Sequence, residues 1–127
     1  MGEILLISAD WPFRALVRAQ LLEEGFQVRA FESLEAALAT LMHGSEQPRL
    51  TILDMQGIET GARVVSDLRQ LTGEAPLILC GGPSSQAELR LQGLLPARVM
   101  QRPFRVEDLV NEVRGLRMWT EGGGSEE

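Results

Sequence analysis

Apolar positions fall in five short runs separated by stretches with helical spacing. Glu3 to Ile7 reads as a strand, and Ser8-Ala9-Asp10 follows as a loop in which Asp10 can cap a helix ahead of Trp11 and Pro12. Phe13, Leu16, Val17 and Leu21 then recur at helical spacing until Gly25, a left-handed cap. Gln27 to Phe31 alternates polar and apolar residues, which predicts a strand near a sheet edge. Ser33 can cap a helix carrying Leu34, Leu38 and Leu41 that stops near His43-Gly44. Leu50 to Met55 is a nearly continuous apolar run, preceded by Pro48 and followed by Gly57 and Gly61. It fits a strand buried on both faces, with Asp54 at its carboxyl end.

The second half repeats the alternation. Val64, Val65, Leu68 and Leu71 mark a helix, Gly73 a turn, and Pro76 to Cys80 a strand closed by Gly81-Gly82-Pro83. Ser85-Gln86-Ala87-Glu88 is a capping box opening a helix from Leu89 to Leu94. Ala97 to Gln101 is a fifth strand, and Leu109, Val110, Val113 and Leu116 mark the last helix. Residues 1–119 thus make one domain, and residues 120–127 a tail with nothing to bury, expected to be disordered. Five strands alternating with five helical patterns predict an α/β protein, a (βα)5 three-layer sandwich around a parallel sheet with right-handed crossovers. The flavodoxin-like strand order 2-1-3-4-5 suits this length. It puts the switch point between the first and third strands, where Ser8, Ala9, Asp10 and Asp54 converge.

Composition narrows the functions. The net charge of -6 argues against a domain that binds nucleic acid through its field. Its 12 basic residues are all arginine, and no tyrosine is present. One cysteine, Cys80, excludes an internal disulfide framework and suits a reducing cytoplasm. No run is long and apolar enough for a signal peptide or a membrane span.

From residue 3 to 118 the chain resembles the receiver domain of two-component response regulators, the CheY-like family. The resemblance rests on the element order, the strand ending in Asp54, the phrase Leu21-Leu22-Glu23-Glu24-Gly25-Phe26, and Arg102-Pro103-Phe104 after the fifth strand. It implies that Asp54 stands at the phosphoacceptor position and that the Arg102-Pro103 bond is cis. Such receivers take a phosphoryl group with the help of Mg²⁺, a hard cation that requires oxygen ligands. The family's ligands are an acidic pair after the first strand, the acceptor, and a backbone carbonyl that would be Gln56 here.

Against that pattern the chain departs at the acidic pair and at three further positions. The acidic pair falls on Ser8 and Ala9, so Asp10 could join Asp54 and Gln56 as a metal ligand only if the loop slipped by one residue. The phosphoryl-binding hydroxyl falls on Gly81. Cys80 beside it should point to the opposite face and pack as a small apolar group. The family lysine is Arg102, and the aromatic switch residue is Val99. These departures lead to an expectation of a metal-free pocket in which Arg102 pairs permanently with Asp54.

Three functions compete at this point. One is a degenerate receiver, or pseudo-receiver: a non-enzymatic interaction module without cofactor, whose output does not depend on Mg²⁺-assisted phosphorylation. Another is a working phosphoacceptor using Asp10, Asp54 and Arg102. The third is a flavodoxin-like small-molecule binder with an anion cradle at Gly81-Gly82-Pro83-Ser84-Ser85. For the receiver readings the resemblance implies a protein partner, such as a histidine kinase or output domain, or a second copy in a homodimer. Docking would use the face of the fourth helix, fifth strand and fifth helix, which carries Arg90, Gln101, Glu107, Asp108, Glu112 and Arg114. Trp11, in the loop beside the pocket, and Trp119 are each candidates for a contact anchor, and Trp11 is expected rather to pack locally over the space a metal and its waters would fill. Trp119 is expected to pack likewise at the end of the last helix, and His43 has no partner in sequence.

Overall fold

The computed structural model of the chain describes residues 3–41, 47–56, 62–82, 90, 93 and 95–125. Among these, strands β1 (Glu3–Ile7), β2 (Gln27–Phe31), β3 (Leu50–Asp54), β4 (Leu77–Cys80) and β5 (Arg98–Met100) alternate with helices. The helices are α1 (Trp11–Glu23), α2 (Leu34–Leu41), α3 (Ala62–Thr72) and α4 (Val106–Ser125). The strands form one parallel sheet in the order β2-β1-β3-β4-β5, which is the flavodoxin-like topology. Apart from Arg90 and Gly93, the helix expected from Ser85 to Leu94 lies outside the described residues, as do the Gly57 to Gly61 loop, His43 and the cradle residues Pro83 to Ser85.

Strand alternation divides the core into two layers. Ile4, Leu6, Ile52 and Ile78 face α1 and α4, packing on Phe13, Val17, Leu21, Leu109 and Val113. Leu5, Ile7, Leu53 and Leu79 face α2 and α3, packing on Leu34, Leu38, Val65 and Leu68. Each fully buried aliphatic side chain of this kind stabilises the fold by about 1.5–3 kcal/mol relative to exposure. β3 is buried along its whole length, as its unbroken apolar run requires. β2 is the wet edge, where Arg29 pairs with Glu3 at 2.9 Å.

The helix ends follow local chemistry. Asp10 caps α1, its side chain accepting a hydrogen bond from the Phe13 N–H at 3.2 Å, with Pro12 in the first turn. Gly25, at φ 95, closes α1 in the left-handed region, with Phe26 N–H donating to Leu21 O and Gly25 N–H to Leu22 O. Ser33 caps α2 through a 3.1 Å bond from the Ala36 N–H.

Two expectations need correcting. Leu16 is 55% exposed, because Phe13, Val17 and Leu21, four residues apart, already form the buried stripe of α1. Leu16 lies about 100° around the helix from Val17. Trp11 is 65% exposed and does not pack over the pocket, since it opens α1 on the side turned from that stripe.

Candidate functional site

The carboxyl ends of β1 and β3 sit side by side, because the two strands pair in register from Ile4 with Leu50 to Ile7 with Leu53. That pairing places Ser8 beside Asp54. Ser8 and Asp54 are both fully buried, at 0% exposure. The Ser8 hydroxyl donates to Asp54 Oδ2 at 2.7 Å and accepts from the Asp10 N–H at 3.2 Å. Arg102 donates through Nη2 to the same Oδ2 at 2.8 Å, from a side chain that keeps 32% of its surface exposed. The other oxygen, Oδ1, accepts from the Gln56 N–H at 3.1 Å. A buried carboxylate is costly unless paired and hydrogen-bonded, and here two neutral donors and one cation meet that requirement.

Arg102 itself lies against two aromatic rings. Its guanidinium carbon lies 4.6 Å from the Phe13 ring centroid and 5.3 Å from that of Phe104. The two rings meet edge to face, 5.9 Å apart at 78°. A planar guanidinium stacks on such rings where an ammonium remains a hydrated point charge. The Arg102-Pro103 bond is cis.

Among the other expected site residues, Ala9 is exposed and contributes no polar side-chain atom. The Asp10 side chain is engaged as the α1 cap. Gly81 extends the ladder past β4, its N–H donating to Met100 O at 3.0 Å. Val99 is half-buried and packs on the α2 and α3 layer through its place opposite Leu79. Cys80 was expected on the face opposite the pocket, and this needs correction. It stands in register with Asp54, and its side chain packs in the layer of Ile52 and Ile78, which alternation also assigns to Asp54. It does pack as a small apolar group. Burial, reinforced by the charge of Asp54 and opposed by Arg102, pushes its thiol up to about 12.

Sequence reasoning missed three parts of this arrangement. Ser8 was counted as a lost carboxylate and acts as a donor. Arg14, one turn into α1, donates through Nη1 to the Ser8 carbonyl at 2.7 Å and fixes that loop to the helix. Phe13 and Phe104 were seen as core and as part of a phrase; only Phe104, two residues from Arg102, offered a local signal of the stack.

A Mg²⁺ ion does not fit this donor set. It needs several hard oxygen ligands, and among the described residues the Asp54 carboxylate already has both oxygens hydrogen-bonded and a cation on one of them, while the Asp10 carboxylate caps α1. Among the described residues no group of three His, Cys, Asp or Glu side chains is placed to hold a metal. No helix among them is long and apolar enough to cross a membrane.

No protein-family model and no curated protein sequence matches the chain. Solved structures do. The chain is similar to chemotaxis protein CheY4 of Vibrio cholerae, with a TM-score of 0.73 and 20% identity over 90% of this chain and 97% of that one. It is similar to the receiver domain of the Francisella response regulator 1452, with a TM-score of 0.73 and 18% identity over 94% of this chain and 99% of that one. The receiver domain of NtrX from Brucella abortus gives a TM-score of 0.68 and 23% identity over 87% of this chain and 94% of that one. With its sheet order and its Asp54 at the carboxyl end of β3, the chain has the receiver-domain fold of two-component response regulators.

Proposed function

We propose that this chain is a pseudo-receiver: a receiver-fold interaction module of two-component signalling in which Arg102 takes the place of the metal and holds Asp54 in one state. The observation that carries this reading is the 2.8 Å contact between Arg102 and a fully buried Asp54. Phosphorylation of Asp54 would require a metal to offset the charge between attacking carboxylate and phosphoryl oxygens. It would also require displacement of a guanidinium packed against two rings. Asp54 then serves the fold, and the output is binding of a protein partner, without enzymatic activity.

The partner surface in this reading is the face of β5 and α4. Several of its charges are engaged within the chain: Arg114 with Glu24 at 2.7 Å, and Glu112 with Arg98 at 3.0 Å. Asp108 accepts from the Arg105 N–H at 3.1 Å. Gln101 and Glu107 remain exposed there.

The test follows the Gln56 amide by NMR, because that N–H reports directly on Asp54. Titration with Mg²⁺ at millimolar levels, then with beryllofluoride, is expected to leave the resonance unchanged in the folded protein. A saturable shift that Asp54→Asn abolishes would replace this reading with the phosphoacceptor one.

A further inference from the structure

The outer side of α1 is apolar where a surface helix normally turns polar residues to solvent. Trp11 is 65% exposed, Leu16 55% and Leu22 43%, and Pro12, Ala15 and Ala19 are exposed as well. At about 100° per residue these six positions share an arc of about 140°, from Trp11 round to Leu16. Phe13, Val17 and Leu21 occupy the opposite, buried side. A contiguous exposed apolar face of this kind marks an interaction surface.

The spacing within that arc suits a second α1. Pro12, Ala15, Ala19 and Leu22 recur at intervals of three and four, which makes a seam for packing against another helix. Trp11 and Arg18 line one flank of this seam, and Leu16 and Glu23 line the other. Arg18 and Glu23 are exposed, and neither forms a salt bridge among the described residues. Five positions apart, they lie about 140° from each other around the helix and do not face one another. The neighbouring charges are engaged elsewhere, Arg14 on the Ser8 carbonyl and Glu24 on Arg114.

The flanks decide the orientation. When two such helices lie parallel about a twofold axis, each flank faces the other flank of the second copy, five positions further along. Trp11 then covers Leu16 of the second copy and Arg18 meets its Glu23, each contact occurring twice. An antiparallel pair would instead bring like flanks together and set Arg18 against Arg18. We propose that α1 is a self-association surface through which two copies of this chain pair in parallel. The helix has 13 residues and is about 20 Å long, so the contact is smaller than a standard interface. The dimer is correspondingly weak, with a dissociation constant of roughly 0.1 mM.

The test is sedimentation equilibrium of the full chain from about 20 μM to about 1 mM. Wild type is expected to pass from monomer to dimer across that range, and less completely as salt is added. Arg18→Glu and Glu23→Arg change exposed positions, so each should keep the native amide spectrum. Each should weaken association about 10-fold, because like charges then face each other across the seam. Mixed in equal amounts, the two variants should associate with each other, and the double variant should associate with itself. The proposal is overturned by a wild type that stays monomeric at about 1 mM, or by single charge variants that associate as wild type does. A double variant that stays monomeric also overturns it.

Discussion

The guanidinium of Arg102 stacks on the ring of Phe13, 4.6 Å from its centroid, while the same group reaches Asp54. Phe13 belongs to the buried stripe of α1, so the stack ties the first helix to the segment after β5 through a residue 48 positions from its carboxylate partner. Arg102→Ala removes the cation and leaves Asp54 with Ser8 and Gln56 alone, an expected loss of about 1–3 kcal/mol in urea unfolding. Arg102→Lys keeps the charge and gives up the planar stack, so it should fall between wild type and the alanine variant. Combined with Asp54→Asn, Arg102→Ala should cost clearly less than the sum of the two changes, because both act on one contact.

Ser8→Ala tests the donor that stands where a carboxylate would hold metal. It removes a buried 2.7 Å bond to Oδ2, with an expected cost of about 1–2 kcal/mol by the same unfolding measurement. The Gln56 amide resonance should also move, because it donates to the other oxygen of that carboxylate.

Cys80 should behave as part of the core. Its thiol is buried and pushed up to about 12, so a thiol reagent should leave it unmodified in the native protein and label it in denaturant. The native state holds the proton more tightly than the unfolded chain does. The stability this residue contributes is therefore complete below the unfolded thiol's value and is lost as pH rises from there towards about 12. Cys80→Ala should flatten the alkaline limb of a stability profile.

Glu24 and Arg114 tie α1 to α4 across the surface through two hydrogen bonds, of 2.8 and 2.7 Å. The bond from Arg114 holds the Glu24 carboxyl below its ordinary range. As pH falls the unfolded chain takes up this proton first. The contribution is thus present above the ordinary carboxylate value and is lost as pH falls through the lowered one. The difference in thermal midpoint between wild type and Arg114→Gln should be small near neutrality, shrink with added salt, and vanish in acid.

Much of the fold was legible in the residues. Period-two and period-3.6 apolar patterns are local, so the five strands, the helix stripes and the two-layer division of the core follow from them. So do the caps at Asp10, Gly25 and Ser33, whose partners lie within a few positions in the chain. Asp54 at the end of a buried run was legible too, and the receiver resemblance, which sets Arg102 at the family's lysine position, led to the expectation of their pairing.

What tertiary structure alone decided are the relationships that depend on how layers dock. Arg102 lies against both Phe13 and Phe104 only because α1 and the segment after β5 meet over the same strand ends. Cys80 lies opposite Asp54 because the β3 and β4 register falls where it does; a slip of one residue would turn it to the other face. The exposed Trp11 and the Arg14 contact to Ser8 are likewise set by packing. A local pattern specifies which side of an element is apolar, and the docked geometry decides which distant atoms come within hydrogen-bonding reach.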